Sequence, residues 1–356
     1  MAITETNFIN YSRCPRYAAL EEIKSEKLDA DITYKEYKHE EESEQLKEIL
    51  GSIFEDDTYE VDLTNKVNKQ MEAMMPYYKM VEIEAGRITK KYFGGKSVYA
   101  EDTFSQESFE FNKNGIKYIC YVDIYNEVDN DINIIEVKAT TSNKFVNLKA
   151  NHKKGEKYSI FHFDKDKNCY YLKDEIEGYP LDSEMPLDAY LKQKEKLFDR
   201  YSSVGSYIFD LAIQRFILEG EYKESHNEER LKNVHYYLAV LNHNYVFDGT
   251  YEGKKAIYNP DNEGNQNIIK QTEASLEEYL FNLNASPCPM GKWCERKKVK
   301  ECIYLGPVCG KMIPAKNSSL NYLNNGFGFK TLDGEKLKGL ELINAGYINM
   351  LDIPEE

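Results

Sequence analysis

Three residues in the run YICYVDIYNEVDNDINIIEVKATTS are of types, and at a spacing, that could act on a phosphate. Asp123 stands between Val122 and Ile124 in an apolar stretch. After twelve intervening residues, IIEVK sets Glu136 and Lys138 two apart. Residues two apart on a strand share a face. An antiparallel hairpin would bring Asp123 opposite that pair, so that two carboxylates and an ammonium meet. Hard carboxylate oxygens suit Mg²⁺ or Mn²⁺, and the carbonyl of Val137 could add a ligand. Such an ion polarises a phosphodiester and acidifies a water, which the lysine would orient. The competing reading is a cross-strand ion pair on a surface hairpin, which is common and weak. A surface pair does not need apolar flanks on both strands, and here both have them.

Further candidates lie elsewhere. SYIFDLAIQRFILEG places Asp210 and Gln214 at i and i+4 on one face of an apolar helix. Gln214 could support the water or a phosphate, or simply bond to Asp210. Cys14 stands alone near the start, while Cys288, Cys294, Cys302 and Cys309 cluster in SPCPMGKWCERKKVKECIYLGPVC. Four thiolates hold zinc or an iron–sulfur cluster. The clustered spacings lack the short paired knuckles of zinc modules, which points to iron–sulfur. The fourth ligand is open between Cys302 and Cys309, with spacing from Cys294 slightly favouring Cys302. Cys120 and Cys169 read as buried small side chains.

Helical patterns cover 7–25, 41–54, 66–91, 185–220 and 267–283, with a short helical tail at 334–351. Strand patterns cover 97–103, 107–112, 115–126, 131–138 and 235–247. Asn114–Gly115 marks a tight hairpin turn. Helices followed by a β-meander predict an α/β fold. The segment 138–160 reads as Lys-rich and irregular, and its residues 138–157 carry six lysines against one glutamate. It would suit a phosphate backbone, or be a solvated loop. Phe145, Tyr158, Phe161 and Phe163, interleaved there, could stack bases or face the core. Arg296, Lys297, Lys298 and Lys300 form a second basic patch.

The whole chain is acidic, with 46 Lys and Arg against 61 Asp and Glu and a net charge of −15. Nucleic acid could therefore be held only by a local basic strip. No apolar run is long enough to span a membrane, and the N-terminus lacks signal-peptide features. A cytoplasmic chain with reduced thiols is expected.

The order of these parts resembles the RecB-like nucleases with a split iron–sulfur cluster, including CRISPR-associated exonucleases. Cys14, Asp123, Glu136-Val137-Lys138, Gln214 and Cys288/Cys294/Cys302 carry the resemblance. The runs YIFDLAIQRFIL, YYLAVLNHNYV and ELINAGYINMLDIPEE resemble an uncharacterised bacterial family that carries this unit at its N-terminus. The run QRFIL departs from the glutamine-and-tyrosine motif common in the nuclease family.

The resemblance implies a PD-(D/E)XK, restriction-endonuclease-like core. It would have a central mixed sheet, helical flanks and a cysteine-bound cluster as a staple. It implies a Mg²⁺- or Mn²⁺-dependent DNA nuclease, an exonuclease on single strands, with a 4Fe-4S cluster on Cys14, Cys288, Cys294 and Cys302. A further acidic ligand should come from the first core helix, at Glu48 with Glu44 as alternative. Residues 1–320 would form the nuclease domain. Residues 321–356 would form a helical tail leading to a further domain or partner. The rivals are a non-catalytic nucleic-acid-binding module and a zinc-stapled RNA-processing nuclease.

Overall fold

A computed structural model describes residues 2–21 (except 13 and 15), 69–99, 106–245 (except 153, 154 and 201), 251, 252, 255, 256, 266–270, 289, 290, 294, 302, 304–321, 329, 330, 334, 336, 337 and 339–352. The fold is mixed α/β, and the chain divides into two compact units. One comprises Met1–Glu5 and Glu42–Glu278; the other comprises Thr6–Glu41 and Tyr279–Glu356.

The first unit is built on a seven-stranded sheet. Its strands are β2 (Lys96–Tyr99), β5 (Ile124–Val128), β6 (Asp131–Thr141), β11 (Val234–Leu241), β14 (Gln266–Lys270), β10 (Cys169–Leu172) and β9 (Phe161–Asp164), in that spatial order. Most neighbours are antiparallel, but β6 runs parallel to β11 and β10 parallel to β14. β6 is buried almost from end to end. That is why it reads as the unbroken run INIIEVKATT: a strand covered on both faces has no polar side to alternate with. A second sheet joins β1 (Ala2–Thr4), β4 (Ile116–Val122) and β3 (Glu107–Lys113), and β12 (Tyr251–Glu252) pairs with β13 (Lys255–Ala256) in a two-stranded ribbon. β3 and β4 are the hairpin predicted from Asn114–Gly115, and both turn residues take positive φ.

The pattern at 115–126 proves to be two strands. β4 belongs to the three-stranded sheet and β5 to the seven-stranded one, with Asp123 at the bend between them. The side-chain period continues across the bend, so sequence alone cannot show the change of partner. The short strand at Ala2–Thr4, parallel to β4, has no sequence signal.

Helix α1 (Glu5–Tyr11) follows β1, and α2 (Lys69–Phe93) matches the predicted 66–91 from residue 69 onward; 66–68 lie outside the described residues. Helix α3 (Asn143–Val146) and strands β7 (Lys149–Asn151) and β8 (Lys157–Ser159) order the segment read as irregular. After the turn α4 (Leu181–Glu184), the single helix expected at 185–220 is two, α5 (Leu187–Phe198) and α6 (Gly205–Glu224). At the break, a Cβ on Gly205 would lie 2.0 Å from the Asp199 carbonyl oxygen, so only glycine fits. The helix expected at 267–283 is overturned at its start, where 266–270 form β14. Asn-Ile-Ile is as good a strand core as a helix start, and pairing with β11 decides it. The predicted helix 41–54, with Glu44 and Glu48, lies outside the described residues.

Buried polar bonds hold β5 and β6 to the end of α2. Asn126 donates to Gly94 O at 2.8 Å and Ser97 Oγ at 2.9 Å, and accepts from Asn133 Nδ2 at 2.8 Å. Full satisfaction makes such a pair a register lock rather than a liability.

The second unit packs Tyr17, Leu20, Met290, Cys294, Cys302, Tyr304 and Leu305 with Leu340 and Ile343 of α7 (Leu340–Asn344). Tyr17 and Tyr304 meet edge to face at 5.3 Å. Asn344 closes a two-way clasp with the Met290 backbone.

Candidate active site

β6 supplies the centre of the site. Glu136 and Lys138 point to one face, and Lys138 Nζ lies 2.8 Å from Glu136 Oε1. The β5–β6 register pairs Ile124 with Ile135, which sets Asp123 across from Glu136. Asp123 Oδ2 accepts from the Val137 backbone N–H at 2.8 Å, and Oδ1 from Gln106 Nε2 at 3.1 Å. Helix α6 closes the group. Gln214 Nε2 donates to Glu136 Oε2 at 2.6 Å, and Asp210 Oδ2 lies 2.8 Å from Lys138 Nζ. Glu136, Lys138 and Gln214, read from sequence as part of one site, share a hydrogen-bond network, and Asp123 meets it at the Val137 backbone between Glu136 and Lys138. The Val137 N–H is committed to Asp123.

Glu5 also enters the group, and the sequence offered no signal for it. Gln214 Nε2 reaches its two oxygens at 3.2 and 3.4 Å. Glu82 of α2 is close enough to act on Asp123. A signal for Glu82 did exist, since it sits between Val81 and Ile83 on an apolar helix, as Asp123 does on its strand.

Glu5, Asp123, Glu136 and Asp210 share one ammonium, Lys138. Burial, then the Glu136 and Asp210 charges, hold the Glu5 carboxyl well above the usual range. Burial, then Glu136 and Glu82, do the same for Asp123. Burial pushes Lys138 down, but Asp210 and Glu136 outweigh it and hold the ammonium well above its ordinary value. Gln214 Oε1 is buried without a hydrogen-bond partner. Among the described residues no three His, Cys, Asp or Glu side chains are arranged to hold a metal ion. Protein donors engage both oxygens of Asp123 and of Glu136. Even so, the donor set suits a hard divalent cation. It offers carboxylate oxygens with spare lone pairs and an excess of negative charge that one lysine does not cancel.

Beside the site, Lys138 and Lys144 both lie over the Tyr207 ring, at 5.9 and 5.7 Å. Lys149 and Lys157 follow on exposed strand positions. Of the four aromatics read there, Phe145 and Phe161 are core residues. Phe163 packs on Tyr170 at 4.6 Å, and Tyr158 is half-buried.

In the second unit, Cys14, Cys294, Cys302 and Cys309 line one cavity with Tyr17, Leu20, Met290, Tyr304 and Leu305. The described cysteines form no disulfide. Both candidates for the fourth position, Cys302 and Cys309, therefore face the same space, and Arg16 reaches Cys309 Sγ at 3.3 Å. Cys288 lies outside the described residues, as do Arg296, Lys297, Lys298 and Lys300. Soft sulfur donors in an apolar surround suit zinc or iron. The cavity measures about 10 Å³, room for one water-sized body. As they stand these thiols are not arranged to hold a metal ion, so either an ion or a cluster would have to draw them together. Cys120 and Cys169 are buried elsewhere, in the first unit.

Among the described residues no helix is long and apolar enough to cross a membrane. Comparison with protein-family models, with curated proteins and with solved structures found no match.

Proposed function

We propose that this chain is a divalent-cation-dependent nuclease with a PD-(D/E)XK-type site, acting on DNA and most readily on single strands. The observation that carries the reading is the convergence of Asp123, at the bend between β4 and β5, with Glu136 and Lys138 of β6, with α6 adding Gln214. An ion-pair network built for stability would balance its charges. This one is left with excess carboxylate, and unbalanced buried charge costs stability. A site that must accept a cation explains the imbalance.

In this reading Asp123 and Glu136 hold Mg²⁺ or Mn²⁺, with Glu82 or the predicted Glu48 as a further acid. The ion would supply charge neutralisation and Lewis acidity at the phosphate. Lys138 orients the attacking water and faces the charge that develops on the phosphate. Gln214 holds Glu136 Oε2, leaving Oε1 to Lys138. Lys149 and Lys157, both exposed, form the local cationic track that an acidic protein needs to hold a polyanion. The cysteine cavity supports a metal staple in the second unit. The iron–sulfur reading and the zinc reading share its thiols.

The test is hydrolysis of single- and double-stranded DNA and RNA with Mg²⁺ or Mn²⁺. Lys138→Met should lower DNA cleavage by about 10²–10³-fold, with circular dichroism checking that the variant is folded at the assay temperature. Equal background cleavage by wild type and variant would end the enzyme reading. Metal analysis and the visible thiolate-to-iron absorption separate iron from zinc.

A further inference from the structure

Lys138 is shared between two carboxylates, and only one of them is a proposed cation ligand. Resting on the nuclease reading above, we infer that Asp210 is a positioning residue that keeps Lys138 at the scissile phosphate once Glu136 is committed to the cation.

Helix α6 presents Tyr207, Asp210 and Gln214 at i, i+3 and i+7, one stripe of a helix. Each member of the stripe meets the same strand. Tyr207 lies under Lys138 at 5.9 Å, Asp210 is 2.8 Å from Lys138 Nζ, and Gln214 is 2.6 Å from Glu136. The helix therefore reads Glu136 and Lys138 separately, a neutral donor for the carboxylate and an anion for the ammonium. Without a cation, Lys138 is held equally by Glu136 and Asp210, both at 2.8 Å. A cation on Glu136 weakens one of those two holds. A lysine held by Glu136 alone would then be free to sweep its four-carbon stem, and a point charge acts only where it is placed. Asp210 comes from another element and lies only 15 % exposed, so its grip survives cation binding.

A purely structural role fits poorly. Asp210 follows Phe209 and precedes Leu211, Ala212 and Ile213, which are buried, and its charge adds to the crowding felt by Glu5. For stability alone an apolar residue would serve better there.

The experiment compares wild type, Asp210→Asn, Asp210→Glu, Lys138→Met and the Asp210→Asn/Lys138→Met double variant, with circular dichroism as fold control. Asp210→Asn should lower kcat by about 10–100-fold. KM and the Mn²⁺ affinity measured without nucleic acid should stay near wild type. Asp210→Glu, which keeps the charge, should recover most of the loss. In the Lys138→Met background the Asp210→Asn change should add nothing, since a positioning residue acts only through the group it positions. A second readout needs no activity. Acylation of Lys138 by an amine reagent, followed by mass spectrometry, should speed up by about fivefold in Asp210→Asn when Mn²⁺ is present, and by less in its absence. Additive losses, or unchanged Lys138 labelling with Mn²⁺, overturn the inference. A wild type that cleaves no nucleic acid overturns the nuclease reading instead, and the labelling still reports whether Asp210 holds Lys138.

Discussion

Glu5 carries the electrostatic tension of the first unit. Its carboxyl is held above the usual range by burial and by Glu136 and Asp210. In the unfolded chain it ionises at an ordinary carboxylate pKa, so between the two values the fold holds the extra proton. Stability therefore falls as pH rises through that window and stays lowered above it. Glu5→Gln removes the cost and can still accept from Gln214. Without divalent cation it should raise stability at pH 8 by on the order of 1 kcal/mol, with no gain at pH 4. Thermal unfolding at the two pH values checks this, and added Mn²⁺ should shrink the gain. Cys120 gives a second test. Burial, and then Glu5, push its thiol well above the ordinary value. Iodoacetamide at pH 7.5 should spare it in the native protein and label it after unfolding, as read by peptide mass.

At the scale of elements, the site depends on how closely α6 approaches the three-stranded sheet. Gly220 faces Phe111 of β3, and an added Cβ would lie 2.6 Å from its ring. On an exposed helix, Gly→Ala stabilises by about 1 kcal/mol. Here overpacking costs ~1–3 kcal/mol, and the clash wins. Gly220→Ala should therefore lower the urea midpoint without changing the slope. It should also lower activity, because the same helix carries Asp210 and Gln214. Gly86 of α2 makes the same kind of approach to Tyr99 of β2, 2.5 Å from the ring. The β4–Asp123–β5 bend is the other decisive feature. One chain serves two sheets, and the residue at the change-over is the one aimed at Val137. The alternation of YICYVDIYNEV revealed a strand and a central acid, but nothing local in it encodes a change of partner.

At the scale of the whole molecule, a net charge of −15 repels a polyanion everywhere except along a local strip. DNA affinity should therefore fall steeply with salt. Lys149→Ala and Lys157→Ala should each reduce the slope of log K against log salt by roughly 1 for each phosphate that the lysine neutralises. Filter binding across a salt series reads this directly. Cys302→Ser should lower the bound zinc or iron of the purified protein toward zero and destabilise the second unit. Unchanged metal content would rule out the thiol site.

The sequence by itself determined the central strand, its Glu136–Lys138 pair, the opposing Asp123 and the Gln214 helix. Period-two and helical patterns are local, and a polar residue inside an apolar run is visible without partners. Tertiary structure alone decided that Asp210 turns to Lys138 and that Glu5 and Glu82 join the acids. It also decided that 266–270 pair as a strand and that both Cys302 and Cys309 face the cavity of Cys14 and Cys294. Those residues lie tens to hundreds of positions apart in the chain. Their meeting follows from which faces pack together, and no local period records that.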